Sequence, residues 1–281
     1  MTYAANLIAS PVVRNGAGKP LFDVQSSADH RGVAIDRVGV KQLKYPVTIE
    51  RQDGSLANSV ATINMYVSLP HQVRGTHMSR FLETLKAQAG PLSPPRILAI
   101  LTEMRERLTA DDAYLEVDFD YFIEKPAPVT GATAPMVYQA MVRAFSGAGD
   151  DLKLGVRVPA TSLCPCSKAI SRYGAHNQRC EIEAWVRSDG AVWFDDLIGF
   201  CEQAASAPLF SVLKRPDEKH VTEQAYENPK FVEDIVRDLA VILRDDPRVD
   251  WFSVSSENFE SIHAHNAYAS IEWDKQAEPE A

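Results

Sequence analysis

Apolar and polar residues alternate from Leu43 to Glu50 and again from Ala61 to Ser68, the period-2 pattern of strands buried on one face. Gln52-Asp53-Gly54 between them is a turn signal. The period then changes. Met78, Phe81, Leu82 and Leu85 fall on one helical face, and Ser93-Pro94 opens a second helix bearing Ile97, Leu98, Leu101, Met104 and Leu108. Glu116 to Phe122 alternates strictly as a half-buried strand, and Met136 to Ala144 is a further strand, with a Pro-, Gly- and Thr-rich linker from Glu124 to Pro135 between them.

The same order recurs. Gly155–Pro159 and Cys180–Arg187 read as strands, and Leu197, Ile198, Cys201, Ala204 and Ala205 share a helical face. Asn228-Pro229 repeats the cap-then-proline signal before Phe231, Val232, Ile235, Val236, Leu239 and Leu243. Val249–Ser255 and Ala267–Trp273 then read as strands. Two strands, two helices and two strands, occurring twice, predict a duplicated α+β architecture with modules at roughly 40–150 and 151–273. Residues 1–22 carry Gly, Pro and Asn without periodicity and read as a loose arm; the charged stretch 274–281 reads as a frayed tail.

Composition narrows the classes. With 281 residues, 45% hydrophobic, the chain can bury a large core without disulfides or structural metals. A metal, if present, is therefore expected to do chemistry rather than rescue folding. The formal charge of −9 gives no basic stripe for nucleic acid, while a few clustered cations still allow a phosphorylated small molecule. The four cysteines all lie between Cys164 and Cys201, which favours reduced thiols over a secreted disulfide framework. The start lacks a basic leader region and no apolar run approaches the ~18 residues of a membrane span. No membrane association is expected, and the cytoplasm is the expected address.

Chemistry concentrates in the second half. Leu163-Cys164-Pro165-Cys166-Ser167-Lys168 reads as a loop between two strands. Two thiols one residue apart are poorly spaced to chelate one zinc, since structural sites use about two to four intervening residues. Packing thiols or a strained disulfide are the bland alternatives; with His176 just beyond, separate functional roles are favoured. His176 lies in a polar, glycine-bearing segment, where a solvated histidine is the default and a second ligand is the alternative. The charged run Lys214–His220 reads as a non-periodic loop holding Glu218, and Glu233 sits in the first turn of a helix, where a carboxylate also suits the macrodipole. Asn258–Asn266 joins two strands and holds Glu260, His263 and His265, which suits a ligand and a proton shuttle as well as a polar hairpin. In the first half, Thr76 reads as a helix cap flanked by Arg74 and Arg80, with His77 beside it, so the helix start is either an anion site or a simple cap.

Ser162–Lys168 followed by Tyr173-Gly174-Ala175-His176-Asn177-Gln178-Arg179 resembles the type IB GTP cyclohydrolase I family. Asp23-Val24-Gln25, Asp29–Val33, Gly75–Phe81, Leu213–Glu218, Asn228–Asp234 and Glu257–His263 agree with it, so the resemblance covers Asp23 to Trp273. It implies a tunnelling fold of two ββααββ modules, assembled into barrels, commonly tetramers, with active sites at subunit interfaces. The implied reaction takes GTP and water to 7,8-dihydroneopterin triphosphate and formate, the first step toward folate. The family's metal ligands fall on Cys164, His176 and Glu218, with Glu260 ligating when substrate is absent. That mixed set suits one Zn²⁺, Mn²⁺ or Fe²⁺ per site, and no organic cofactor is implied. His263 falls at the general acid/base; Cys166 is carried over as catalytic or substrate-contacting. Glu233 matches the carboxylate that grips the N–H edge of a purine. Lys168, Arg179, Arg74 and His77 are expected at the triphosphate, the first-half pair serving a neighbouring subunit. The competing expectations are a nitrile reductase of deazaguanine metabolism, using a cysteine nucleophile and NADPH, and a non-catalytic metal-binding relative.

Overall fold

The computed structural model describes residues 23–88, 90–188 and 192–277. The predicted arm and the end of the predicted tail lie outside the described residues.

Strands β1 (Ile35–Glu50) and β2 (Leu56–Leu69) form a hairpin around the expected turn. Gly54 adopts φ +78°, and Asp53 accepts the Ser55 N–H at 2.9 Å, so glycine and aspartate each do what a tight reversal needs. Helices α1 (Met78–Ala87) and α2 (Pro94–Leu108) follow, then β3 (Ala113–Pro126) and β4 (Thr133–Ser146). The linker predicted between the last two is a short hairpin turn closed by Ala127 N–H to Ala132 O at 2.8 Å. The second half runs β5 (Asp150–Leu163), α3 (Pro165–Ile170), β6 (Asn177–Ser188), α4 (Phe194–Ala204), β7 (Ala207–Pro208), α5 (Arg215–Glu227), α6 (Val232–Asp245), β8 (Val249–Asn258) and β9 (Ala267–Asp274). A 3-10 turn at Lys275–Ala277 ends the described chain.

Among the described residues the named strands pair antiparallel, in the order β1-β2-β3-β4-β5-β6-β8-β9. The β4–β5 hairpin joins the halves into one continuous sheet. Its pairing reaches Gln139 opposite Arg157; beyond it, β7 takes the vacated edge of β5 at Ala160 and Thr161.

One face of the sheet is covered by helices, because the alternating positions on that face are apolar. Ala61, Ile63, Met65 and Val67 of β2 and Leu115, Val117, Phe119 and Tyr121 of β3 are buried on the face that α2 packs against, where Phe119 and Tyr121 also meet the ring of Phe194. In the second half α6 buries Val232, Ile235, Val236, Leu239 and Leu243 against β8 and β9. Each such aliphatic side chain contributes about 1.5–3 kcal/mol by leaving water. The other face is laced with ion pairs: Arg143–Asp118 at 2.6 Å, Arg157–Glu183 at 2.6 Å and Arg187–Asp151 at 2.7 Å. A small apolar cavity of about 40 Å³, lined by Ile49, Leu92, Phe119, Trp193 and Phe194, sits where the halves meet and contains none of the expected site residues.

The structure corrects several expectations. Cys164–Ile170 is not a loop: Pro165 opens α3, with Cys164 as its N-cap. Lys214–His220 is not a loop either, but the first turns of α5, whose polar composition carries no apolar stripe to betray it. Asn228 closes α5 rather than capping α6; its amide donates to the Ala205 and Ser206 carbonyls, and α6 instead starts after Phe231, whose N–H is held by Asp234 at 2.9 Å. Phe231 is therefore exposed, as are Met78 and Leu82 of α1. Residue His77, not Thr76, occupies the N-cap of α1, and it makes no side-chain capping bond.

Candidate active site

The second half gathers the expected residues at one end of its sheet. β5 ends at Leu163 and β6 begins at Asn177, so the residues between them form the rim of that end. The Cys164 N–H donates to the His176 carbonyl at 3.1 Å, which extends the β5–β6 ladder by one bond and fixes the two residues side by side. Ser167 ties the rim further. Its N–H donates to Cys164 Sγ at 3.4 Å, its hydroxyl donates to the Cys164 carbonyl at 3.1 Å, and the same oxygen accepts the His176 N–H at 3.2 Å. Cys164 is thus held at the N-cap of α3, beside His176.

His176 is half-buried. Its Nδ1 lies 3.0 Å from Gln178 Oε1, 3.5 Å from Ser261 Oγ and 4.0 Å from Glu260 Oε2. Glu260 has only 11% of its side chain exposed, and its Oε2 is buried without a hydrogen-bond partner. An orphaned carboxylate oxygen is costly in a protein interior and fits a position where a cation is bound. The soft thiolate, the imidazole and the carboxylate offer the mixed donor set of a borderline divalent ion.

A polar layer beneath the rim holds it in place. Ser162 is fully buried; its hydroxyl donates to the Lys230 carbonyl at 3.1 Å and accepts from Asn258 Nδ2 at 2.9 Å. Lys230 N–H donates to the Leu163 carbonyl at 3.0 Å, and Phe259 N–H to the Arg179 carbonyl at 3.0 Å. These bonds bring the entry to α6, with Glu233 on its first turn, and the Glu260 segment to the end of the sheet that carries Cys164. Both Glu233 and Arg179 are exposed there.

Other expected residues stand apart. Glu218 is 61% exposed in the first turn of α5, with Arg215 at 4.0 Å. Among the described residues no three His, Cys, Asp or Glu side chains gather closely enough to hold an ion, so the four expected ligands are not closed into one shell. Cys166 is exposed on α3. His263 is exposed in the β8–β9 connection and stacks on His265, ring centroids 5.3 Å apart. Lys168 is engaged with α5: its ammonium donates to the Tyr226 carbonyl and lies 4.3 Å over the Tyr226 ring. Arg74 and His77 lie at the start of α1, where His77 Nε2 meets Asp23 Oδ2 at 3.1 Å and the Arg74 N–H meets the Ser27 carbonyl.

Sequence reasoning assigned no role to Gln178, Ser167 or Asp217. Gln178 had a readable signal: two residues past His176 on an emerging strand, it shares the histidine's side. Asp217 did not, because its meaning depends on a partner far along the chain. Fully buried, its carboxylate accepts from Val129 N–H at 2.9 Å, Thr130 N–H at 2.9 Å, Thr130 Oγ at 2.7 Å and Lys214 N–H at 2.9 Å. Those bonds outweigh burial and hold its pKa well below the usual carboxylate range. They also pin the β3–β4 turn of the first half to the helix that carries Glu218.

Residues 21–269 match the family model described as type I GTP cyclohydrolase folE2. The chain belongs to the FolE2 family of type I GTP cyclohydrolases. It is 52% identical over 259 residues to the GTP cyclohydrolase FolE2 of Magnetococcus marinus, covering 92% of this chain and 98% of that one. With the FolE2 of Geobacter sulfurreducens it shares 51% over 254 residues, 90% and 98% of the two chains. Among solved structures, the uricase of Arthrobacter globiformis superposes with a TM-score of 0.52 at 10% identity, covering 88% of this chain and 96% of the uricase. At that identity the likeness shows the fold alone, and it bears out the α+β tunnelling architecture expected for a FolE2 chain. No helix among the described residues is long and apolar enough to cross a membrane.

Proposed function

We propose that this chain is a metal-dependent GTP cyclohydrolase I of the type IB kind, opening the guanine imidazole ring and releasing C8 as formate. One observation carries the reading. In a FolE2 chain, Cys164 and His176 are locked side by side with the unpartnered Glu260 oxygen 4.0 Å from the imidazole.

Cys164, His176 and Glu218 would hold one Zn²⁺, Mn²⁺ or Fe²⁺, with Glu260 ligating when substrate is absent. The described residues do not close this set into one shell, so binding would have to draw the ligands together. Bound there, the ion supplies Lewis acidity, which makes water a nucleophile near neutral pH. The rest is done by side chains of this chain. Glu233, exposed beside the rim, offers two acceptor oxygens to the adjacent N–H groups of guanine and fixes the base. His263, on the connection between β8 and β9 after Glu260, takes and returns the proton as the C8–N bond breaks. Cys166, exposed on α3, would contact the substrate. Arg179 and Lys168 serve the triphosphate, the latter after leaving its bond to Tyr226.

Arg74 and His77 belong to the half of the chain that does not line this rim. Their use at the triphosphate would require a neighbouring subunit, so the proposal includes a homo-oligomer, a tetramer, with interface sites; its expected address is the cytoplasm. Purified protein reconstituted with Zn²⁺ or Mn²⁺ and given GTP should release formate and a neopterin fluorophore in equal amounts. GTP left intact by metal-reconstituted protein overturns the proposal. Consumption of NADPH with a deazaguanine nitrile would favour the reductase instead.

A further inference from the structure

The Nδ1 of His176 is surrounded by oxygen: Gln178 Oε1 at 3.0 Å, Ser261 Oγ at 3.5 Å and Glu260 Oε2 at 4.0 Å. An amide oxygen and a carboxylate oxygen only accept, so the proton of the neutral ring belongs on Nδ1 and the lone pair on Nε2. Of the three oxygens, only that of Gln178 is at good hydrogen-bond distance. Its scaffold is also the firmest. Gln178 is 8% exposed and lies within β6, where it pairs with Ser162 of β5. Ser162 in turn is clamped by Asn258 and Lys230. Ser261 and Glu260 instead belong to the connection that follows β8.

We infer that Gln178 is a positioning residue of the active site: its side-chain oxygen fixes the tautomer and ring orientation of His176, so that Nε2 is presented to the metal ion. The inference rests on the proposed role of His176 as a ligand. Metal-binding imidazoles depend on such an outer partner, and its loss typically weakens metal binding by about 10–100-fold.

The test uses the full-length protein and two variants. Gln178→Met keeps the volume and removes the strong acceptor, while Gln178→Glu keeps an acceptor oxygen. Imidazole ¹⁵N spectra of the metal-free wild type should place His176 in the Nδ1–H form. The Met variant should lose that preference and the Glu variant should retain it. Zinc affinity, measured by competition with a chromophoric chelator, should fall about 10–100-fold in Gln178→Met and stay at or above wild type in Gln178→Glu. Thermal midpoints of the metal-free forms should stay close together, which separates positioning from a folding defect. An Nε2–H tautomer in the wild type, or unchanged tautomer and zinc affinity in Gln178→Met, overturns the inference. His176→Ala tests the underlying reading separately: undiminished zinc affinity there removes His176 from the ligand set, whatever the tautomer spectra show.

Discussion

The Cys164 N–H donates to the carbonyl oxygen of His176 across 3.1 Å, so a thiol and an imidazole twelve positions apart in sequence share one ladder rung. Cys166, two positions on, has no such tie and stays exposed on α3. The two thiols should therefore separate in a metal analysis. Cys164→Ala should purify with little bound metal, below about a tenth of an equivalent, because a thiolate ligand is removed. Cys166→Ala should keep close to one equivalent and lose turnover instead. Elemental analysis of the two variants beside wild type makes the check.

His263 follows Glu260 by three residues but lies exposed and stacked on His265, outside the set that surrounds His176. Replacing it by alanine should leave metal content and fold intact and lower kcat by about 10²–10⁴-fold, the range for removing a general acid/base. Turnover near wild type in His263→Ala removes the residue from the mechanism.

Thiol chemistry offers an independent check on burial. Burial pushes the Cys180 thiol up to about 12 and the Cys201 thiol further still, so neither is a nucleophile at neutral pH. Iodoacetamide at about pH 8 should label exposed Cys166 in the metal-loaded protein and spare buried Cys180 and Cys201. Cys164 should become reactive only after the metal is stripped. Peptide mass spectrometry reads all four sites at once.

The sequence made the scaffold legible because it follows from period. Ile63, Met65 and Val67 alternate toward the helices, and Ile235, Val236, Leu239 and Leu243 form a stripe that only a helix brings to one face. What it hid were elements without an apolar period. α5 buries only Asp217 and Ala225, so its first turns read as a charged loop, and α3 is too short to show a stripe. In the site, the local Cys164–His176 neighbourhood was readable from spacing and resemblance together. The orphaned oxygen of Glu260 and the supporting bonds of Ser162 and Asn258 were not, because they arise from strands far apart in the chain.

Asp217 links that hidden helix to the first half, and its depressed pKa has a definite consequence for stability. A carboxyl whose folded pKa lies below its unfolded value of 3.8 stabilises the fold above that value, and the contribution is lost as pH falls below it. Asp217→Asn should therefore lower the thermal midpoint by several degrees near pH 7, leaving donors at Val129, Thr130 and Lys214 poorly matched. Its deficit relative to wild type should shrink as pH drops through about 4 toward 2. Calorimetry across that range checks both sign and position. A deficit independent of pH would remove the charge of Asp217 from the account.

The most direct test of the account is GTP turnover before and after complete metal removal. Protein stripped with a strong chelator should release no formate from GTP. Adding back Zn²⁺, Mn²⁺ or Fe²⁺ should restore stoichiometric formate and dihydroneopterin triphosphate in wild type but not in Cys164→Ala. Turnover that survives verified removal of all metal would contradict it.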